Sequence, residues 1–318
     1  MLRHLHPVER LLAQSTLVLL AVCLGLIVWK GTTIGWGAYG ACVLLSAAAV
    51  AGGLYYRLRR NEPALANALI GVGLFSPFSF LVVVFNYLQL PISGPTIDPT
   101  LIAIDAALGF HWPHFVAWFA DWPLLSLALK AVYASTLFQM ITVIVVLAFV
   151  GRTQRLHATL LSVMLTSVAI VAFWTFLPSL GTTVHFPLPA AVEAAVQPFV
   201  GTSYGVELLR IAANGPALIH PAEVKGLIAF PSYHIGLACI CTWAMRDVAG
   251  WRWVFLTVNA AMFPATVLHG GHHLIDLPGG VVLFVLGTLV VARLMPRQAP
   301  IVEPDAVSLR PASGEGRA

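Results

Sequence analysis

The chain has 318 residues, 59% hydrophobic and only 9% charged, with a formal net charge of +4. Soluble domains carry about 25% charged residues, so this composition excludes an ordinary soluble enzyme and points to a surface that faces lipid, where charge is too costly to keep. The positive balance lies in arginines flanking apolar segments and implies no nucleic-acid partner, and Cys23, Cys42, Cys239 and Cys241 all sit in apolar runs without a Cys-x-x-Cys pair, so neither disulfides nor a cysteine metal site is expected.

A helix needs roughly 20 apolar residues to cross the hydrocarbon core. Spans are predicted at 11–29, 34–55, 65–90, 124–150, 158–180, 231–248, 252–269 and 274–294, the seventh being short. The basic start followed by an apolar run resembles a secretory signal, but no small-x-small cleavage site follows 26–29, so the first segment reads as an uncleaved helix. The expected fold class is all-α, a polytopic membrane bundle of about eight transmembrane helices. Residues 1–60 form two N-terminal helices, 61–297 a membrane domain, and 298–318, rich in Pro, Ala, Ser and Gly, a disordered tail.

Orientation follows from lysine and arginine placement. With the N-terminus in the cytoplasm, the inner segments hold 13 of the 17 cations, among them Arg57, Arg59, Arg60, Arg152, Arg155, Arg246 and Arg252. The outer segments hold Lys30, Arg210 and Lys225, and Lys130 lies within a span. Both termini are then cytoplasmic. Two outer connections, 91–123 and 181–230, are long, and long loops on a rigid scaffold often carry function. Trp112, Trp118 and Trp122 suit the headgroup layer and predict a helix lying on the outer surface.

Two segments concentrate the chemistry, Phe230-Pro231-Ser232-Tyr233-His234 opening the sixth span and His269-Gly270-Gly271-His272-His273-Leu274-Ile275-Asp276 opening the eighth. The orientation puts both at the outer end. His272 and Asp276 are four apart, one face of a helix. Asp276 can then accept a hydrogen bond from one ring nitrogen and leave the other free as nucleophile or base. The alternative is a structural pair that locks two helices. Pro231 suits a first helical turn, whose free amides bind anions, and Ser232 adds a donor. Gly271, with Gly270, lets backbone approach a ligand. Arg210, Lys225 and Lys130 are candidate partners for phosphate charge; the bland reading of each is a solvated or snorkelling cation.

These residues resemble the type 2 phosphatidic acid phosphatase (PAP2) superfamily, and most closely its branch of fungal inositol phosphorylceramide synthases and their bacterial relatives. Pro231, Ser232 and His234 match a Pro-Ser-x-His motif, and His272 with Asp276 matches His-x-x-x-Asp. The bacterial branch is also similar at Asp105-Ala-Ala-Leu-Gly-Phe-His-Trp112, at Tyr133 with Gln139, at Arg210, and at Gly226-Leu-Ile-Ala-Phe-Pro-Ser-Tyr-His234. The superfamily's first motif, a lysine with a following Arg-Pro, is absent, its only Arg-Pro being Arg310-Pro311, and Thr266 stands where an arginine is usual. The synthase-like branch tends to lack that first motif too.

The resemblance implies a six-helix core within 61–297 and phosphoryl or phosphodiester transfer on a lipid phosphate or phospholipid without cofactor or metal. His272 would be the nucleophile, Asp276 its orienting partner and His234 the acid and base. Arg210, Ser232, Lys225 and Gly271 would hold phosphate, with Lys130, His269, Tyr133 and Gln139 as further candidates. Two other readings stand beside it. His269, His272 and His273 fit the His-x-x-His-His box of membrane di-iron hydroxylases and desaturases, whose imidazole-rich sites suit iron. A transporter would use His272–Asp276 as a proton relay, although transporter sites usually lie near the midplane between repeats.

Overall fold

The structure, a computed structural model, describes residues 2–295. The expected tail at 298–318 lies outside the described residues. Among the described residues the chain is helical throughout, with no strand beyond an isolated parallel bridge between Ile34 and Ile219.

The first helices are defined by their ends. α1 (Pro7–Lys30) starts with proline in its first turn and a capping box in which the His6 ring accepts from the Val8 amide and Glu9 accepts from the His6 amide. Gly31, at φ 64°, ends it in the left-handed conformation. α2 (Trp36–Tyr55) runs on through Tyr56–Arg60, and α3 (Pro63–Tyr87) again begins on proline. Next come α4 (Asp98–Ala107), α5 (Trp112–Ala120), α6 (Pro123–Ala134), α7 (Thr136–Phe149) and α8 (Thr153–Phe176). α9 (Ala190–Val196), α10 (Thr202–Asn214), α11 (Tyr233–Met245), α12 (Trp251–Gly270) and α13 (Asp276–Leu294) complete the chain.

Among the described residues six helices are long and apolar enough to cross a membrane: α1, α2 with its continuation, α3, α8, α12 and α13. The other two predicted spans differ from expectation. The segment 124–150 is split at Ser135, where Ser135 Oγ donates to the Val132 carbonyl at 2.6 Å and Thr136 Oγ1 to that of Tyr133 at 3.0 Å. Hydroxyls that bond back to the preceding turn compete with the helical ladder. The sixth span shrinks to α11, whose 13 residues reach only about 20 Å. The seventh, expected to be short, has 20 residues.

The tryptophan-rich stretch does form a helix, α5, which meets α6 at a bend of 118°. The long connections 91–123 and 181–230 are not plain loops: they contain α4, α5, α9 and α10. α10 carries a readable signal, with Tyr204, Leu208, Ile211 and Ala212 buried on one side and Glu207 and Arg210 exposed on the other.

The core packs α3, α7, α8 and α11 together through Phe78, Met140, Ile144, Leu160 and Ile240. α13 lies against α8 and α11, and α12 against α6 and α11. Gly280 sets the α11–α13 approach, since a Cβ there would collide with the Ser232 carbonyl and lie 2.9 Å from Ile235 Cβ. At the far end a buried polar cluster joins α1, α2, α3 and α8. Arg57 donates to Glu9 (2.7 and 2.8 Å) and Asn67 (2.8 Å), and His157 lies 3.2 Å from Glu9. Glu9 and Asp276 are thus both carboxylates in helices of spanning length, since α1 begins early enough to include Glu9.

Candidate active site

The segment that holds His272 and His273 is the short link between α12 and α13. Gly271, at φ 61°, ends α12 in the left-handed region, and Asp276 opens α13. A Cβ on Gly271 would also press on Thr183 Cγ2 at 3.0 Å and Val200 Cγ1 at 3.1 Å, so glycine is required for both conformation and space. Its carbonyl accepts from the Thr182 amide at 2.8 Å, tying the link to the 178–185 loop.

His272 Nδ1 lies 2.9 Å from Asp276 Oδ2. A carboxylate can only accept there, so the proton sits on Nδ1 and Nε2 carries the free lone pair. The same Oδ2 accepts the His273 amide at 2.9 Å. The i, i+4 relation read from the sequence is thus present, formed across the first turn of α13.

His234, in the first turn of α11, faces this pair, its ring centroid 6.2 Å from that of His272. The Tyr133 ring stacks on it at 4.3 Å and 20°. α11 starts at Tyr233, two residues later than Pro231 would suggest. Ser232 is its N-cap, fully buried, and accepts from the Ile235 amide at 3.4 Å. The Ser232 amide in turn donates to the Asp276 carbonyl at 3.1 Å, so the two motifs are joined by backbone.

The cations are placed unequally. Lys225 lines the same cavity as His234 and Tyr133, its Nζ 4.9 Å from the Tyr204 ring. Arg210 is exposed, bound to Glu207 at 2.6 and 2.7 Å, and lines a separate small pocket with Lys225 on its rim. Lys130 lies over the Phe199 ring at 5.2 Å. Gln139 donates to Ser135 Oγ at 2.9 Å, at the α6–α7 break rather than beside the histidines.

The three histidines of the His-x-x-His-His box do not converge. His269 donates from Nε2 to the Ser126 carbonyl at 2.9 Å, His272 turns to Asp276, and His273 lies between Asp98 and Asp105. Among the described residues no group of three or more His, Cys, Asp or Glu side chains is arranged to share an ion. The geometry gives the di-iron reading no support.

Asp98 carries no motif and His273 enters the sequence reading only through the His-x-x-His-His box; the structure brings both against the α12–α13 link. Burial works against charge on Asp98, yet His185, His273 and the Leu180 and Gly181 amides hold its carboxyl well below the usual range. Burial would likewise lower His273, but Asp105 and Asp98 raise it to about 9.

A cavity of about 520 Å³ opens beneath His234. Tyr133, Lys225 and His234 share its lining with the apolar side chains of Phe75, Met140, Ile170 and Leu237.

The family model described as PAP2 superfamily matches residues 99–291, well over half of the chain. The chain belongs to the PAP2 superfamily. That membership implies phosphatase-type chemistry in an integral membrane protein. No curated protein and no solved structure matches the chain. The PAP2 match encloses every residue of the His234–His272–Asp276 cluster together with Asp105, and it begins one residue after Asp98. α1 and α2 precede it.

Proposed function

We propose that this PAP2 protein is a lipid phosphatase or phosphotransferase that works through a phosphohistidine on His272 at the outer membrane face. One observation carries the reading: the Asp276-bound His272 faces His234 across 6.2 Å, and His234 shares with Lys225 the lining of a mostly apolar cavity. An amphipathic phosphate ester matches that polarity. The arginine-rich inner loops support the outer placement.

His272 Nε2 attacks phosphorus in line while the bond to the leaving oxygen breaks. Asp276 holds the tautomer and stabilises the imidazolium that develops. Protonated His234 gives its proton to the departing alkoxide. Neutral His234 then takes a proton from water or a lipid alcohol, whose oxygen attacks the phosphohistidine and frees His272. Such acid–base assistance contributes about 10²–10⁴-fold. Lys225 is the cation best placed for the phosphoryl charge. Arg210 would first have to leave Glu207. Water as acceptor gives a phosphatase, and a lipid hydroxyl gives a transferase of the synthase-like kind.

The test is turnover by detergent-purified protein, without added metal, of a panel of labelled lipid phosphates and phosphodiesters, with diacylglycerol and ceramide as acceptors. His272→Ala should abolish turnover. His234→Ala should lose about 10²–10⁴-fold on ordinary esters and far less on esters with good leaving groups. Equal losses on both would remove His234 as the acid, and full activity of His272→Ala would end the phosphohistidine reading.

A further inference from the structure

α4 presents Asp98 and Asp105 on one face, since seven residues make two turns. Both are buried. Asp105 accepts the Leu274 amide at 2.8 Å and the Ile275 amide at 3.0 Å. With Asp276 on the His273 amide, three successive amides of the α12–α13 link end on carboxylates. Asp98 accepts the Leu180 and Gly181 amides, fixing the loop whose Thr182 amide binds the Gly271 carbonyl. α4 therefore grips the link on both flanks of His272.

His273 fills the space between these carboxylates. Its Nε2 is 3.5 Å from Asp98 Oδ1 and its Nδ1 3.6 Å from Asp105 Oδ2. Asp276 faces it from α13, and His185, on the 178–185 loop, lies 3.9 Å from Asp98. Three acidic side chains thus surround one buried imidazole. A buried carboxylate without a counter-charge is strongly disfavoured, and a cation at His273 supplies that counter-charge between Asp98 and Asp105.

We propose that Asp98, His273 and Asp105 form a positioning site whose ion pairs hold His272 at its reacting position. The inference rests on the phosphohistidine reading. None of the three touches phosphorus; they act through the link. The favourable charge state of His273 is full at neutral pH and is lost as pH rises through about 9. A nucleophile displaced by even 1 Å loses about 10²-fold.

The experiment compares wild type, His273→Gln, Asp105→Asn and His272→Ala in detergent. It uses phosphatidic acid and the fastest phosphodiester of the panel, with kcat, KM and a pH profile for each variant. Hydrogen exchange of the 271–276 amides is read by mass spectrometry on the same full-length proteins. His273→Gln is expected to lower kcat about 10–100-fold, leave KM nearly unchanged, remove the alkaline limb near pH 9 and speed exchange of the link at least tenfold. Asp105→Asn should move that limb to lower pH, because one of the carboxylates that raise His273 is gone. Variants that lose thermal stability while keeping the limb, the kcat/KM pattern and slow exchange would overturn the proposal. Turnover surviving in His272→Ala would instead overturn the phosphohistidine reading, and this inference with it.

Discussion

Asp276 has the most demanding task of any single side chain at the site. One of its oxygens serves both the His272 ring and the His273 amide. Asp276→Asn keeps the size but can offer an NH₂ group to Nδ1, which favours the wrong tautomer and puts the proton on Nε2. Turnover should fall on the order of 10³–10⁴-fold, with little change in melting temperature. Trapping the phosphoenzyme in a single-turnover experiment checks this, since the defect lies in its formation. The His272–Asp276 pair was legible in the sequence because i, i+4 spacing is a local rule, and His234 because the arginine pattern placed two motifs on one side. Asp98 and the setting of His273 were not legible. Their partners come from segments far apart in the chain, and no local periodicity reports a carboxylate that accepts amides from another loop. The partner of Arg210, Glu207 one helical turn away, is by contrast a local i, i+3 neighbour.

Among the elements, the approach of α11 and α13 decides whether the two motifs meet. Gly280 packs against Ser232 and Ile235 at the start of α11, two residues from His234 in one direction and one in the other. Gly280→Ala should force the helices apart, cost about 1–3 kcal/mol of stability and remove activity even in the fraction that remains folded. Thermal unfolding in detergent, read beside turnover per folded molecule, separates the two effects. All eight apolar segments of the sequence correspond to helices, since hydrophobic length is a strong signal in lipid. Their lengths were less legible. Ser135 and Thr136 break one segment through side-chain hydrogen bonds that composition does not show, and α11 stops at Met245 before the apolar run predicted to 248 is spent.

For the whole molecule, the two ends of the bundle have separate duties. The proposed chemistry lies at one end, and the Glu9–Arg57–Asn67–His157 cluster at the other ties the N-terminal helices to α3 and α8. Removing one member leaves a largely buried charge without its partner. Glu9→Gln is expected to cost about 2–3 kcal/mol while leaving kcat at permissive temperature unchanged, as thermal unfolding and turnover of the same preparation will show. The sequence does not announce this cluster, because the apolar run that predicts the first span begins at residue 11, after Glu9.

The cavity beneath His234 includes Leu137 and Phe199, both half-exposed, the former on the flank of α7. A substrate that reaches phosphoryl transfer along this flank never passes through bulk water. Its effective concentration is then its mole fraction in the surrounding lipid, a quantity of two dimensions. Diluting the substrate with inert lipid at constant total amount should slow turnover, whereas adding buffer at constant lipid composition should not. In mixed vesicles the rate would follow the crowding of the leaflet and the free diffusion of lipid within it.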